Sequence, residues 1–187
     1  HPEAGFAYRG LKLSITAAQI RVSQETAALT LEPLVVRGDG TRPLTPEEQS
    51  EYRALVGRLL WLATQSRPDL AFGTSKGSRS NQSATVANAR ELNAVVKQAR
   101  ESSHFTLVFK KTPKMVSEHS IVSFADSAFA NVEGVKSQCG HLGGLTLDRS
   151  AVARSDFSAV IPLWWTSSTV RRVCRSTLAC EGYAVSE

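Results

Sequence analysis

The chain has 187 residues, 42% of them hydrophobic and 21% charged, which is enough apolar material for a packed core and argues against wholesale disorder. A net charge of +5 and a pI near 9.4 suit a polyanionic partner, although a charge of this size is also ordinary for proteins that bind no nucleic acid. No apolar run approaches the ~18 residues of a membrane-spanning helix and no basic-then-apolar leader opens the chain, so an intracellular protein, cytoplasmic or nuclear and without a membrane partner, is expected.

Leu11, Leu13 and Ile15 alternate with Lys12 and Ser14, and Ile20 and Val22 flank Arg21. Period two over short runs predicts a β-hairpin with its turn at 16–19. Gly38, Gly40 and Pro43 then mark a loop, which closes a first segment over residues 1–44. Thr45-Pro46-Glu47-Glu48 predicts a helix start, with Thr45 as cap, Pro46 at the first helical position and Glu48 completing a capping box. Beyond it Tyr52, Leu55, Val56, Leu59, Leu60 and Ala63 recur at helical spacing. Pro68 separates this helix from a short second one. A third, over 85–100, puts Val86, Leu92, Val95, Val96 and Ala99 on one side. Helices with such narrow stripes are stable only when packed together, so residues 45–104 are expected to form one helical segment whose core joins Tyr52, Leu55, Val56, Leu59 and Leu60 to Leu92, Val95 and Val96.

From Phe105 the period changes. Runs at 105–109, 121–125, 140–147 and 160–165 are strand-like, and 175–187 reads as a helix with Ser176 near its cap. The third segment, 105–187, is thus β-β-β-β-α. The whole chain is expected to be of mixed α/β (α+β) class: an N-terminal hairpin, three helices, then a sheet with a terminal helix. The three cysteines, Cys139, Cys174 and Cys180, are odd in number and lack metal-ligand spacing, which predicts free thiols. His1 stands where a methionine would open a complete protein, and the chain stops at Glu187 inside a helical pattern; a piece of a longer protein is expected.

Asp126 lies where an apolar strand meets the small residues Ser127 and Ala128, so its carboxylate can face a metal while small neighbours admit a nucleic-acid backbone. Strand-terminal aspartates are also common turn formers. Glu181 sits in the first turns of the last helix, where a carboxylate is often only a dipole partner. Together the two can anchor a hard cation such as magnesium, which prefers oxygen ligands and keeps several waters. Arg171, Arg172 and Arg175 form a basic cluster whose guanidinium forks match phosphate oxygens, or which is simply solvated. Trp164 and Trp165 are adjacent, so on a strand they face opposite sides. No phosphate-binding glycine loop or dinucleotide fingerprint is present, and the four histidines show no paired spacing.

These residues carry a resemblance. Tyr52-Arg53-Ala54-Leu55-Val56-Gly57-Arg58-Leu59-Leu60-Trp61-Leu62-Ala63, followed by Arg67-Pro68-Asp69-Leu70-Ala71-Phe72, resembles the helical segment after the palm in copia-type retrotransposon reverse transcriptases. Residues 10–24 are similar to the hairpin before that segment. Asp126-Ser127-Ala128 resembles the first aspartate motif of the family's ribonuclease H domain. Ser137-Gln138-Cys139-Gly140 resembles its Ser-Gln-x-Gly segment, and Ser176-Thr177-Leu178-Ala179-Cys180-Glu181 its glutamate motif. The likeness implies a piece of a Pol polyprotein: the end of the palm, a thumb-like connection, and the first half of a ribonuclease H domain. The family copies RNA into DNA and degrades the RNA strand of RNA–DNA hybrids with two magnesium ions. By position, Asp126 and Glu181 would be catalytic metal ligands converging to roughly 4–5 Å, given ~2.0–2.1 Å magnesium–oxygen bonds. Arg171, Arg172 and Arg175 would hold nucleic acid. Partners would be RNA or RNA–DNA hybrid and the remainder of the polyprotein. The family's Tyr-x-Asp-Asp motif and its third and fourth nuclease carboxylates do not occur in these 187 residues. The chain alone is therefore expected to be inactive, or else to be a retained remnant serving as a structural or RNA-binding subunit.

Overall fold

The structure, a computed structural model, describes residues 4–112, 118–132, 136–154, 156–170 and 173–186. It is an α+β protein that divides into two compact units. One comprises His1–Ile15 with Arg21–Leu107, the other Thr16–Ile20 with Val108–Glu187.

In the first unit, β1 (Ala4–Tyr8) and β2 (Leu11–Ile15) form an antiparallel hairpin in which Tyr8 faces Leu11 across a two-residue turn. Arg9 and Gly10 both have positive φ, 46° and 78°, the twist that a tight hairpin turn requires. Gly10 is also the one residue type that fits there, because a Cβ would come within 2.6 Å of the Trp61 ring. Strand β1 carries no period-two signal: Phe6 and Tyr8 are both exposed, so no alternation between core and solvent is written into it. The strand β3 (Gln19–Ser23) follows at the expected place, and then an unanticipated short helix, α1 (Glu25–Leu29). Strands β1, β2, β3 and β4 (Thr106–Lys110) are neighbours in that order in one sheet.

The helices begin where the capping residues place them. In α2 (Pro46–Gln65) the Thr45 hydroxyl accepts from the Glu48 amide at 3.3 Å, and the Glu48 carboxylate accepts from the Thr45 amide at 2.9 Å. Arg42 adds a fork onto the same carboxylate at 3.0 and 2.9 Å. The helix α4 (Val86–Glu101) starts on an equivalent box between Thr85 and Asn88. Between them, a 3-10 turn (Pro68–Leu70) leads into α3 (Ala71–Ser78). Two glycines let α3 approach α4: a Cβ on Gly73 would lie 2.7 Å from Val95, and one on Gly77 2.7 Å from Leu92. The Tyr52 hydroxyl then donates to the Gly77 carbonyl at 2.8 Å, joining α2 to α3.

Tyr52, Leu55, Val56, Leu59, Leu92, Val95 and Val96 all lie in one buried cluster. Leu60, expected among them, is 47% exposed. It sits one residue, about 100° of helix rotation, beyond Leu59, and so falls off the stripe that Tyr52, Val56, Leu59 and Ala63 present.

The second unit carries a three-stranded antiparallel sheet in the order β5-β6-β7: β5 (Ser120–Val132), β6 (Lys136–Thr146) and β7 (Val160–Thr169). A short helix, α5 (Arg149–Ala153), and a 3-10 turn (Phe157–Ala159) join β6 to β7. After β7, α6 (Thr177–Ser186) packs on β5 and β6. Each strand outruns the apolar core that signalled it, because backbone pairing continues through Ser, Gly and Thr positions that carry no hydrophobic period.

Candidate metal and nucleic-acid site

Asp126 sits in the middle of β5, opposite Gly140 of β6, with Ser127 opposite Cys139 and Ala128 opposite Gln138. The strand position is fixed by apolar neighbours, Val122, Phe124 and Ala125, and by small ones that follow. The Ser127 amide donates to the Asp126 carboxylate at 2.9 Å, and the aspartate is exposed.

Glu181 is held by α6. The Ser176 hydroxyl accepts from the Ala179 amide at 3.1 Å, and the Ser176 carbonyl accepts from the Cys180 amide at 3.1 Å, so Ser176 starts the helix as its sequence suggests. Cys180 and Ala184, one turn apart, are fully buried against the sheet together with Cys139, Val170 and Cys174. Ala125 of β5 packs on this cluster. Glu181, next to Cys180 around the helix, is half-buried on the flank.

Side chains alternate between the two faces of a strand. Ala125 faces α6, so Asp126 issues from the opposite face of β5, along with Gln138, Gly140 and Ser167 at the paired positions of β6 and β7. The structure packs α6, which carries Glu181, on the face of β5 that holds Ala125, and alternation puts Asp126 on the other face of that strand. No group of three or more His, Cys, Asp or Glu side chains among the described residues is arranged to hold a metal.

The face that carries Asp126 has its own polar network. Gln138 is 4% exposed, and its amide donates to the Ser167 hydroxyl at 2.7 Å while its carbonyl accepts from Thr169 at 3.4 Å. Its neighbour Ser137, fully buried on the other face, accepts from the Ala130 amide at 3.0 Å and so bridges β5 where the register shifts between Ala128 and Val132. The Ser-Gln pair is thus a structural clamp as well as a sequence motif. Sequence reading named the segment without this role. The signal was present in principle: a buried amide in a strand has to find side-chain partners across the ladder.

Arg171 and Arg172 lie outside the described residues. Arg175 is exposed just before α6. Trp164 and Trp165 do take opposite faces. Trp164 lies over Gly143, whose Cβ would fall 1.9 Å from the indole, and is 44% exposed, while Trp165 is half-buried opposite Leu142. Asp148 and Asp156 are turn and cap residues. Asp148 accepts from the Ala151 amide at 2.9 Å and Asp156 from the Ser158 amide at 3.1 Å, and in each the adjacent serine hydroxyl is the main reason the carboxyl is held below its usual range.

No helix among the described residues is long and apolar enough to cross a membrane. No family model, no curated protein and no solved structure matches the chain.

Proposed function

We propose that this chain is part of a copia-type Pol protein, comprising the end of the palm, a thumb-like helical connection and the opening β-β-β-α portion of a ribonuclease H domain. Its role is to hold RNA–DNA hybrid while the catalysis belongs to the assembled polyprotein. The observation that supports this reading best is the motif order mapped onto the second unit: the aspartate motif on β5, the Ser-Gln-x-Gly segment on β6, and the glutamate motif opening α6. A net charge of +5 is compatible with binding to a polyanion.

The rival reading is a retroelement remnant acting as a structural or RNA-binding subunit. It is favoured by one observation, the placement of Asp126 on the face of β5 away from α6, the helix that carries Glu181. In either case this chain binds without cutting, because the family's third and fourth carboxylates do not occur in it and two carboxylates leave a second metal under-ligated.

The test is a labelled RNA–DNA hybrid incubated with the purified chain and magnesium, beside Asp126→Asn. Expected is weak binding that falls steeply with salt, as phosphate neutralisation requires, and no cleavage. Cleavage that vanishes in Asp126→Asn would overturn the inactive reading. Binding that ignores salt, or no binding at low salt, would favour the structural subunit.

A further inference from the structure

Three thiols, Cys139, Cys174 and Cys180, share one buried cluster beneath α6, and none is paired in a disulfide. They are not equivalent. Cys139 is on the central strand β6, and its Sγ lies 3.5 Å from the Ser168 carbonyl and 3.4 Å from the Ser168 hydroxyl, so it is engaged across the ladder. Cys174 lies between β7 and α6, outside any helix or strand, and its thiol neighbours the Cys180 thiol most strongly, with the Ser137 hydroxyl and Cys139 also near it in the same cluster. Cys180 is in the first turns of α6. A pair of contacting thiols with one member on irregular backbone can close to bonding distance by moving that backbone, whereas a thiol pinned in a ladder cannot do so without breaking pairing.

We propose that Cys174 and Cys180 are a redox-responsive pair that forms an intramolecular disulfide under peroxide, fastening the segment after β7 to α6. The Cys174 sulfur, as thiolate, attacks one peroxide oxygen. The O–O bond breaks, the other oxygen leaves as water after protonation, and Cys174 becomes a sulfenic acid. The Cys180 sulfur then attacks the Cys174 sulfur. The S–S bond forms as the S–OH bond breaks, and the hydroxyl leaves with the Cys180 proton as a second water. Two thiols are oxidised, one peroxide is reduced, and two waters are released.

Burial sets the rate. It raises the Cys174 pKa, and the neighbouring Cys180 thiol and then Cys139 raise it further against a lowering hydrogen bond from the Ser137 hydroxyl, so the thiolate fraction is small near neutrality and increases as pH rises. Cys174 is 5% exposed and Cys180 fully buried, so peroxide reaches the pair only when the start of α6 loosens. The pair is therefore slow at rest and responds to conditions that loosen the start of α6. The inference is independent of the nuclease reading.

The experiment treats the folded chain with hydrogen peroxide across a pH series, blocks remaining thiols with an alkylating reagent, and maps peptides by mass spectrometry without reduction. The expected product is a Cys174–Cys180 cross-link with Cys139 still alkylated. Its rate of formation rises with pH, and the oxidised chain melts at a higher temperature than the reduced one. Cys180→Ser should lose the cross-link and Cys139→Ala should retain it, which keeps the result readable if Cys180→Ser fails to fold. A cross-link through Cys139, over-oxidation of Cys174 without a cross-link, or three thiols that stay alkylatable throughout the pH series would overturn the proposal.

Discussion

The guanidinium of Arg67 meets the carboxylate of Asp69 through two parallel hydrogen bonds, 2.9 Å from Nε and 2.8 Å from Nη2, although the arginine is only 1% exposed. Two further donors are used as well: Nη1 reaches the Ala99 carbonyl at 3.2 Å, Nη2 the Ser102 hydroxyl at 2.6 Å, and the guanidinium carbon lies 5.3 Å from the Phe105 ring centre. A single buried cation thus ties the turn after α2 to the end of α4. Asp69→Ala leaves that charge without its counter-ion. Because the aspartate retains some contact with water, the expected cost is about 2–3 kcal/mol, below the ~3–5 of a fully buried pair. Urea unfolding checks it; a midpoint unchanged from the wild type contradicts the role.

Leu59 is fully buried at the centre of the helical cluster, while Leu60 beside it is 47% exposed. Leu59→Ala is expected to cost about 2–5 kcal/mol. Leu60→Ala should stay within about 0.5 kcal/mol, as surface changes do. Thermal or urea denaturation of the two variants side by side tests the stripe; equal losses would mean that the helix is rotated from the position described.

Glycine-to-alanine changes in two helices are predicted to have opposite signs. Gly57 on α2 is exposed, and a Cβ there meets nothing within 4 Å, so Gly57→Ala should stabilise by about 0.8–1 kcal/mol through helix propensity. The same change at Gly77 gains that propensity but drives a methyl to 2.7 Å from Leu92 and 3.5 Å from the Tyr52 hydroxyl. Its net effect should be destabilising. Melting temperatures that rise for both variants would show that α3 and α4 have room to separate.

The start of α2 should weaken in acid. The Glu48 carboxyl is held below its usual value, first by the Arg42 hydrogen bonds and then by the Thr45 amide. A group whose folded pKa is depressed stabilises the fold above its unfolded value, about 4.3 for glutamate, and that contribution is lost as pH falls through the folded pKa. The melting-temperature gap between wild type and Glu48→Gln should be constant near neutrality and close below about pH 4. A gap that widens on acidification would contradict the assignment.

Much of the helical unit was legible because its signals are local: two capping boxes and apolar stripes that a helix must bury. The sheet of the second unit was legible in position and order but not in extent, since Ser137, Gly140 and Ser167 extend the pairing without adding to an apolar period. The least legible feature was the side of β5 from which Asp126 issues. Alternation fixes that Asp126 and Ala125 face opposite ways, but which of them lies under a helix depends on α6, more than 40 residues later in the chain, burying Cys180 and Ala184 on the alanine side. The hairpin strand β1 was missed for a related reason: its aromatic residues remain in solvent, so burial never imprinted a period on them.

Strand β5 lies at one end of the β5-β6-β7 order, so its outer backbone edge has no strand partner among the described residues. An unpaired edge of this length, with no lysine or proline along it, is a template for another copy. Asp126 stands at the midpoint of Ser120–Val132, the position that two antiparallel copies of the strand would bring face to face. Its charge therefore opposes self-stacking, whatever it does in chemistry, since like charges placed directly opposite destabilise a ladder. Replacing it by asparagine, the natural choice for silencing a nuclease, also removes that safeguard. Sedimentation of Asp126→Asn against the wild type should accordingly show more self-association, and loss of solubility in that variant should not be mistaken for loss of a metal ligand.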